Sequence, residues 1–321
     1  MKKFRLTIAI PTFDRPNELL RLISQLKKFL ENKDWNLIVY DNDSSSFPDL
    51  QISDYENAKI IKRKFNIGPI ANILRIFEEC ESDWLMIIGD DDEVRSNFYE
   101  NVMEIISRYD CEQDFVAFKF KSELNPYQQE KVINNIDEYF YYNSEPEQFG
   151  ASALISTWLY RVRPLKPYIR HAYLNAGLQI PHIIPVLEAM RHDQKKIIYL
   201  NVDPIKWNPG STTSTWSFGR TYSLMLMNFI IYPLAGEGNN LKYILKGVIG
   251  NSIRNLLGFL LKLNYSIPKE NFNNILVIFL IQGPKYFMAS LLFLSLRPLF
   301  GIKIIKSMVD DKLGHSDTSR M

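Results

Sequence analysis

Cysteine is nearly absent: the 321 residues hold two, Cys80 and Cys111, and they form no CxxC pair. This rules out a zinc knuckle or a dithiol redox centre and leaves two reduced thiols, as expected in the cytoplasm. Histidine is scarce as well. His171, His182, His192 and His315 do not pair at the helical spacing that binds a catalytic metal. No GxGxxG follows the first apolar run, which leads instead into Pro-Thr-Phe-Asp-Arg-Pro, so a dinucleotide-dependent dehydrogenase is excluded. No GxxxxGK(S/T) occurs, which excludes a P-loop enzyme. The Gly-rich basic loop of a sugar nucleotidyltransferase is missing at the same place. The first apolar run stops at Ile10 against Pro11, too short for a signal peptide. No internal repeat is found, and no apolar stretch reaches the ~20 residues that a spanning helix needs.

Charge of one sign is missing only on average. The net charge is +2, but from Leu241 onward 11 Lys and Arg face 4 Asp and Glu, giving +7. The rest of the chain is correspondingly acidic, at −5. The basic residues of the tail are scattered among Leu, Ile and Phe, which argues against a nucleic-acid partner. They fit a tail that meets a membrane surface. Its most apolar pieces, Ile275 to Ile281 and Phe287 to Leu296, are separated by Gln-Gly-Pro-Lys. They form either an interfacial pair or a soluble helical bundle.

What is present is a core-forming chain, 46% hydrophobic, with strands and helices in alternation. Leu6 to Ile10 reads as a strand. Asp14 and Pro16 open a helix with Leu19, Leu22, Ile23, Leu26 and Leu30 on one face. Asn36 to Tyr40 is a second strand and Lys59 to Arg63 a third. Ile70 to Cys80 is a helix and Trp84 to Ile88 a strand. Ser96 caps a helix through Arg108, and Phe115 to Phe120 is a further strand. Ile183 to Met190 reads as a helix and Lys196 to Leu200 as a strand, followed by a mobile loop over Ile205 to Arg220. The order predicts an α/β fold with a parallel sheet covered by helices. Ligands of such sheets sit beyond the carboxyl ends of the strands. Three polar clusters fall at those ends: Pro11 to Arg15, Asp41 to Ser46, and Asp90 to Glu93.

Consecutive carboxylates after a buried strand repel one another unless solvent or a cation offsets the charge. Asp90, Asp91 and Asp92 are hard oxygen ligands suited to Mn²⁺ or Mg²⁺, and such an ion stabilises a departing diphosphate. The same carboxylates would also suit the N-terminus of the next helix. Asp41 can accept a hydrogen bond from a base ring N–H, or simply close an Asx turn.

Taken together, these segments resemble the inverting family 2 glycosyltransferases of GT-A fold. Leu6 to Arg15 is similar to the family's opening strand and turn. Ile38 to Ser44 is similar to its second strand and aspartate. Asn66-Ile67-Gly68 with Asn72 is similar to its loop and helix before the metal motif, and Trp84 to Asp92 to the strand that delivers DxD. The resemblance implies a nucleotide-diphospho-sugar donor, commonly UDP-linked, and a glycan or lipid-linked acceptor in cell-surface polysaccharide synthesis. Pro11, Thr12, Phe13, Arg15, Asp41, Asn66, Asn72 and Asp90 would bind the donor. Asp90, Asp91 and Asp92 would bind the metal, with Asp91 the main ligand. The fold implied is a Rossmann-like sandwich. Residues 1–220 would be the catalytic domain, with 1–120 the donor half and 121–220 the acceptor half. Residues 221–321 would form a helical extension, peripheral on the inner face of the cell membrane. Trp216 and Arg220 sit where a lid could cover the pyrophosphate, and a salt-bridged surface position for Arg220 is the equal alternative.

One departure stands out. The family's general base is an Asp that should fall near Pro181 to Ile183, where this chain has no carboxylate. His182 stands there and Glu188 follows; these are the two candidate bases. A rival of another class is a GT-A-fold binding protein that has lost catalysis.

The tail itself generates one prediction. The full chain should float with anionic vesicles, less so at high salt, and a chain ending near Tyr222 should not. Equal flotation of the two would discard membrane association through the tail.

Overall fold

A computed structural model gives the structure of the protein and describes residues 4–31, 33–52, 54–122, 129–144, 148, 151–176 and 180–206. Trp216, Arg220, Ile275 to Leu296 and the whole 221–321 extension lie outside the described residues. One compact unit comprises residues 1–140 and 150–214.

Its centre is an eight-stranded sheet. The strands are β1 (Leu6–Thr12), β2 (Trp35–Asp41), β3 (Ala58–Lys62), β4 (Trp84–Ile87), β6 (Phe115–Phe120), β7 (Lys131–Ile133), β8 (Trp158–Arg161) and β9 (Lys196–Leu200). Their order is β3-β2-β1-β4-β8-β6-β9-β7. β1 runs parallel to both β2 and β4. A strand between parallel neighbours and covered on both faces must be apolar throughout. Ile8, Ala9 and Ile10 accordingly have no exposed surface.

The sheet is mixed, not wholly parallel. β8 runs antiparallel to both neighbours, β4 and β6, and β7 lies antiparallel on the edge beside β9. β8 is only four residues, Trp-Leu-Tyr-Arg, all buried. Such a short apolar run gives no period from which its direction could be inferred.

The helices are α1 (Pro16–Leu26), α2 (Pro69–Glu79), α3 (Phe98–Tyr109), α4 (Ile136–Tyr142), α5 (Val162–Leu165), α6 (Ile169–Leu174) and α7 (Ile184–Asp193). α1 and α2 both begin with Pro, whose fixed φ suits the first helical turn. α1 ends at Leu26 and tightens into a 3₁₀ turn, Lys27–Phe29, short of the expected Leu30. α3 starts after Asn97 rather than Ser96, without a side-chain cap. The expected loop from Ile205 begins as a strand: β10 (Ile205–Lys206) pairs antiparallel with β5 (Glu93–Val94). Among the described residues no helix is long and apolar enough to cross a membrane.

The inner faces of α1 and α3 join the sheet in one apolar cluster that includes Leu19, Leu22, Trp35, Trp84, Val102 and Ile105. Leu22 is wholly buried there. Leu22→Ala should cost about 2–5 kcal/mol in urea unfolding. A loss under ~1 kcal/mol would show that α1 is not anchored as described.

Candidate active site

The sheet brings the three polar clusters to one edge. Thr12, the last residue of β1, pairs in register with Asp41, the last of β2. Its hydroxyl donates to Asp90 Oδ2 at 2.7 Å, tying β1 to the turn after β4. The Asp92 amide donates to the Gly89 carbonyl at 3.1 Å and closes that turn. The Gly89 amide donates to Ser156 Oγ at 2.8 Å.

Arg15 is presented by a strained turn. Asp14 has φ +51°, a conformation L residues rarely adopt. Ser44 Oγ accepts from the Asp14 amide at 2.9 Å. Asp14 Oδ1 accepts from the Ser45 amide at 2.7 Å and its hydroxyl at 2.8 Å. The Ser45 hydroxyl bond chiefly lowers the Asp14 pKa. Pro16 then starts α1, so the Arg15 backbone is fixed on both sides. Its Nη1 lies 3.0 Å from Asp90 Oδ1 and 2.9 Å from Asp91 Oδ2. Arg21 Nη2 donates to the Asp91 carbonyl at 2.6 Å. Burial pushes the Asp90 carboxyl up to about 6, while Arg15 and Thr12 act the other way. Burial tends to lower the Arg15 pKa, but Asp90 and Asp91 outweigh it, and the guanidinium titrates above its ordinary value.

Asp41 is fully buried. Its Oδ1 accepts from the Ser44 amide at 2.9 Å. Its Oδ2 has no hydrogen bond, and the Lys62 ammonium stands 3.7 Å away. Asn42 holds the adjacent loop: its Nδ2 donates to Asn66 Oδ1 at 2.8 Å and its Oδ1 accepts from the Ile67 amide at 3.0 Å. Gly68 follows at φ +82°, as only glycine does readily, and leads into Pro69.

Asn72 is held behind the end of β2. Buried in α2, it donates to the Tyr40 carbonyl at 3.1 Å and accepts from Arg63 Nε at 3.2 Å. It therefore supports the end of β2. Phe13 is exposed and Pro11 half-buried at the end of β1. Lys62, Arg63 and Ser156 were not singled out from the sequence, where nothing marks them. Lys119 had a visible signal, one charge inside the apolar run of β6. It is fully buried, donates to Thr157 Oγ1 and stands 5.4 Å from the Trp158 ring centroid.

The structure separates the two candidate bases. His182 precedes α7 and neighbours Lys119, near the carboxyl end of β6. α7 then runs back toward the start of β9, whose Lys196 pairs with Phe115 at the start of β6. Glu188 lies along that path, with His171 Nδ1 and His192 Nε2 each 3.2 Å from its Oε2. His182 is 2% exposed. Burial, then the neighbouring Lys119, lowers its pKa to about 3, while the Ser152 backbone acts the other way. The ring is thus held neutral across the range in which a free imidazole titrates.

The sequence profile described as "Glycosyl transferase family 2" matches residues 7–168. The chain belongs to glycosyltransferase family 2. It is a transferase, and its mixed α/β sheet is of the GT-A kind. The fold resembles that of TarS residues 1–349 from S. aureus, with a TM-score of 0.52 at 13% identity over 99% of this chain and 93% of that one. The same protein in complex with UDP-GlcNAc gives 0.54 at the same identity and coverage. A mannosyltransferase from Pyrobaculum calidifontis, in complex with GDP-Man and Mn²⁺, scores 0.48 at 9% identity over 94% of this chain and 88% of that one. No curated protein sequence matches.

A divalent ion fits this family member's turn on one condition. Among the described residues no three His, Cys, Asp or Glu side chains enclose an ion by themselves. Mg²⁺ sites, however, often use one or two carboxylates and complete the shell with phosphate and water. A Cβ placed on Gly89 would meet Asp91 Oδ1 at 3.1 Å and Asp92 Oδ2 at 3.2 Å. The missing side chain thus leaves a cradle on which these two oxygens converge. Thr12 and Arg15 hold the two Asp90 oxygens and Arg15 also holds Asp91 Oδ2, while Asp91 Oδ1 and Asp92 Oδ2 converge on the cradle, so Asp91 and Asp92 are the residues that would hold the ion.

The buried His182 ring makes stability depend on pH. Below its unfolded pKa of 6.5 the unfolded chain takes up a proton that the folded chain refuses down to about 3. This contribution is whole above pH 6.5 and is lost as pH falls. Between pH 7 and 5 the wild type should lose about 2 kcal/mol more than His182→Gln in urea titrations. Parallel losses would mean that the ring is open to solvent.

Proposed function

We propose that this glycosyltransferase moves a sugar from a nucleoside-diphosphate donor, UDP-linked, to a hydroxyl of a glycan or lipid-linked acceptor. Transfer inverts the anomeric carbon, uses Mn²⁺ or Mg²⁺, and serves cell-surface polysaccharide synthesis at the inner face of the membrane. The observation that carries the donor assignment is Asp41. A buried carboxylate oxygen without a hydrogen bond is costly and calls for a donor. The ring N–H of a uracil supplies one, and the UDP-GlcNAc held by TarS agrees with that choice. Phe13, exposed beside it, offers a surface for the base to stack on.

With the base at Asp41, the diphosphate extends toward Arg15 and the acidic turn. The divalent ion, when bound, offsets charge on the departing diphosphate. Asp91 and Asp92 would hold it, and Asp90 would orient Thr12 and Arg15. The acceptor oxygen forms its bond to the anomeric carbon as the bond to the diphosphate breaks, and that electron pair leaves with the nucleotide. The hydroxyl proton goes to a base. We assign this role to His182, because Glu188 is already engaged by two imidazoles. A neutral ring can take the proton, but burial makes it a weak base. Slow turnover, at or below ~1 s⁻¹, is the expected consequence.

Two substitutions separate donor binding from chemistry. Asp41→Ala should weaken UDP binding by about tenfold or more in calorimetry. Asp91→Ala should reduce UDP release from nucleotide sugars by ~10²-fold or more while the fold persists. Unchanged UDP affinity in Asp41→Ala would refute the base site. Full activity of Asp91→Ala, or of the wild type in EDTA, would refute the metal.

A further inference from the structure

The Arg15 guanidinium occupies the region of charge that the metal reading of the acidic turn requires, and the inference that follows rests on that reading. One nitrogen, Nη1, makes both short ion pairs, at 3.0 Å to Asp90 and 2.9 Å to Asp91. The side chain keeps 23% of its surface exposed, as does that of Asp91, so the pair stands at the boundary of solvent. The backbone under Arg15 is fixed by Asp14, Ser44, Ser45 and Pro16, whereas the long side chain can swing about it. Arg21 cannot take its place, because its Nη2 is bonded to the Asp91 carbonyl and its Nε lies 3.9 Å from Glu93.

We propose that Arg15 is an exchangeable counter-ion. Without donor, its guanidinium neutralises Asp90 and Asp91 and competes with a divalent cation for the turn. A nucleoside diphosphate draws the guanidinium onto its phosphate oxygens, which its planar fork of donors suits better than two separate carboxylates. Asp91 then turns both oxygens to the cation, beside Asp92 and the cradle at Gly89. Arg15 thus acts as a positioning residue for the cation before it acts as a ligand of the donor. Metal and donor bind with positive coupling, and free metal binds poorly. No bond is made or broken in the exchange, and only ion pairs change partners.

The test is Mn²⁺ binding to the full chain, followed by electron paramagnetic resonance of the free ion, with and without UDP. The wild type should bind Mn²⁺ at least ~10-fold more tightly with UDP than without. Arg15→Gln should bind Mn²⁺ alone ~10-fold more tightly than the wild type, and UDP should then add less. Arg15→Lys, whose shorter side chain sets its charge less well between the two carboxylates, should fall between them. It decides the matter should Arg15→Gln fail to fold by circular dichroism. Mn²⁺ affinities without UDP that are equal in wild type and variants would overturn the counter-ion role, even if UDP still promotes metal binding. Absence of Mn²⁺ binding in every protein, with UDP present, would overturn the metal reading and the counter-ion with it.

Discussion

Four consecutive acidic residues, Asp90 to Glu93, follow a strand whose side chains have no exposed surface. Like charges at such an edge disfavour the folded chain unless cations meet them. The surroundings of the turn are arranged to do so. Arg15 reaches Asp90 and Asp91 from the end of β1, Arg21 reaches Asp91 and Glu93 from α1, and Lys206 reaches Glu93 at 3.2 Å from β10. The chemistry of the site begins from that compensation, because the binding of an ionic ligand there must displace or join charges already in place.

The compensating groups depend in turn on the sheet. β1 lies between β2 and β4, so its last residues can touch the loops of both. Thr12 does this literally, paired with Asp41 and hydrogen-bonded to Asp90. The strained Asp14 turn that follows is secured by Ser44 and Ser45 from the loop after β2. A local backbone cost is thus borne by two hydroxyls thirty residues away, and it sets where Arg15 begins.

The polar edge of the sheet was legible from sequence because its signals are local. Continuous apolar strands end in polar clusters, and the topology of parallel strands puts such ends together. The placement of Asp41 and Asp90 at that edge needed nothing more. The partners of Asn72, the Tyr40 carbonyl and Arg63, are set by tertiary packing and are not announced by its place after the Asn66 loop. β8 was illegible because four buried residues carry neither period nor direction. The surroundings of His182 were harder still: Lys119 and Ser152 act on its ring, and neither is announced by the neighbours of His182 in sequence.

The two-residue ribbon of β10 on β5 has an effect out of proportion to its size. Ile205 and Lys206 pair with Val94 and Glu93, directly after the acidic turn. An isolated two-stranded pairing is marginal by itself, so its population responds to small changes in nearby charge. Thermodynamic reciprocity then applies. If an ion on the turn loosens Lys206 from Glu93 by some factor, then undocking the ribbon raises the affinity for that ion by the same factor. The Ile205–Val94 pairing and the Lys206–Glu93 ion pair would then share one equilibrium with the charge held on the turn.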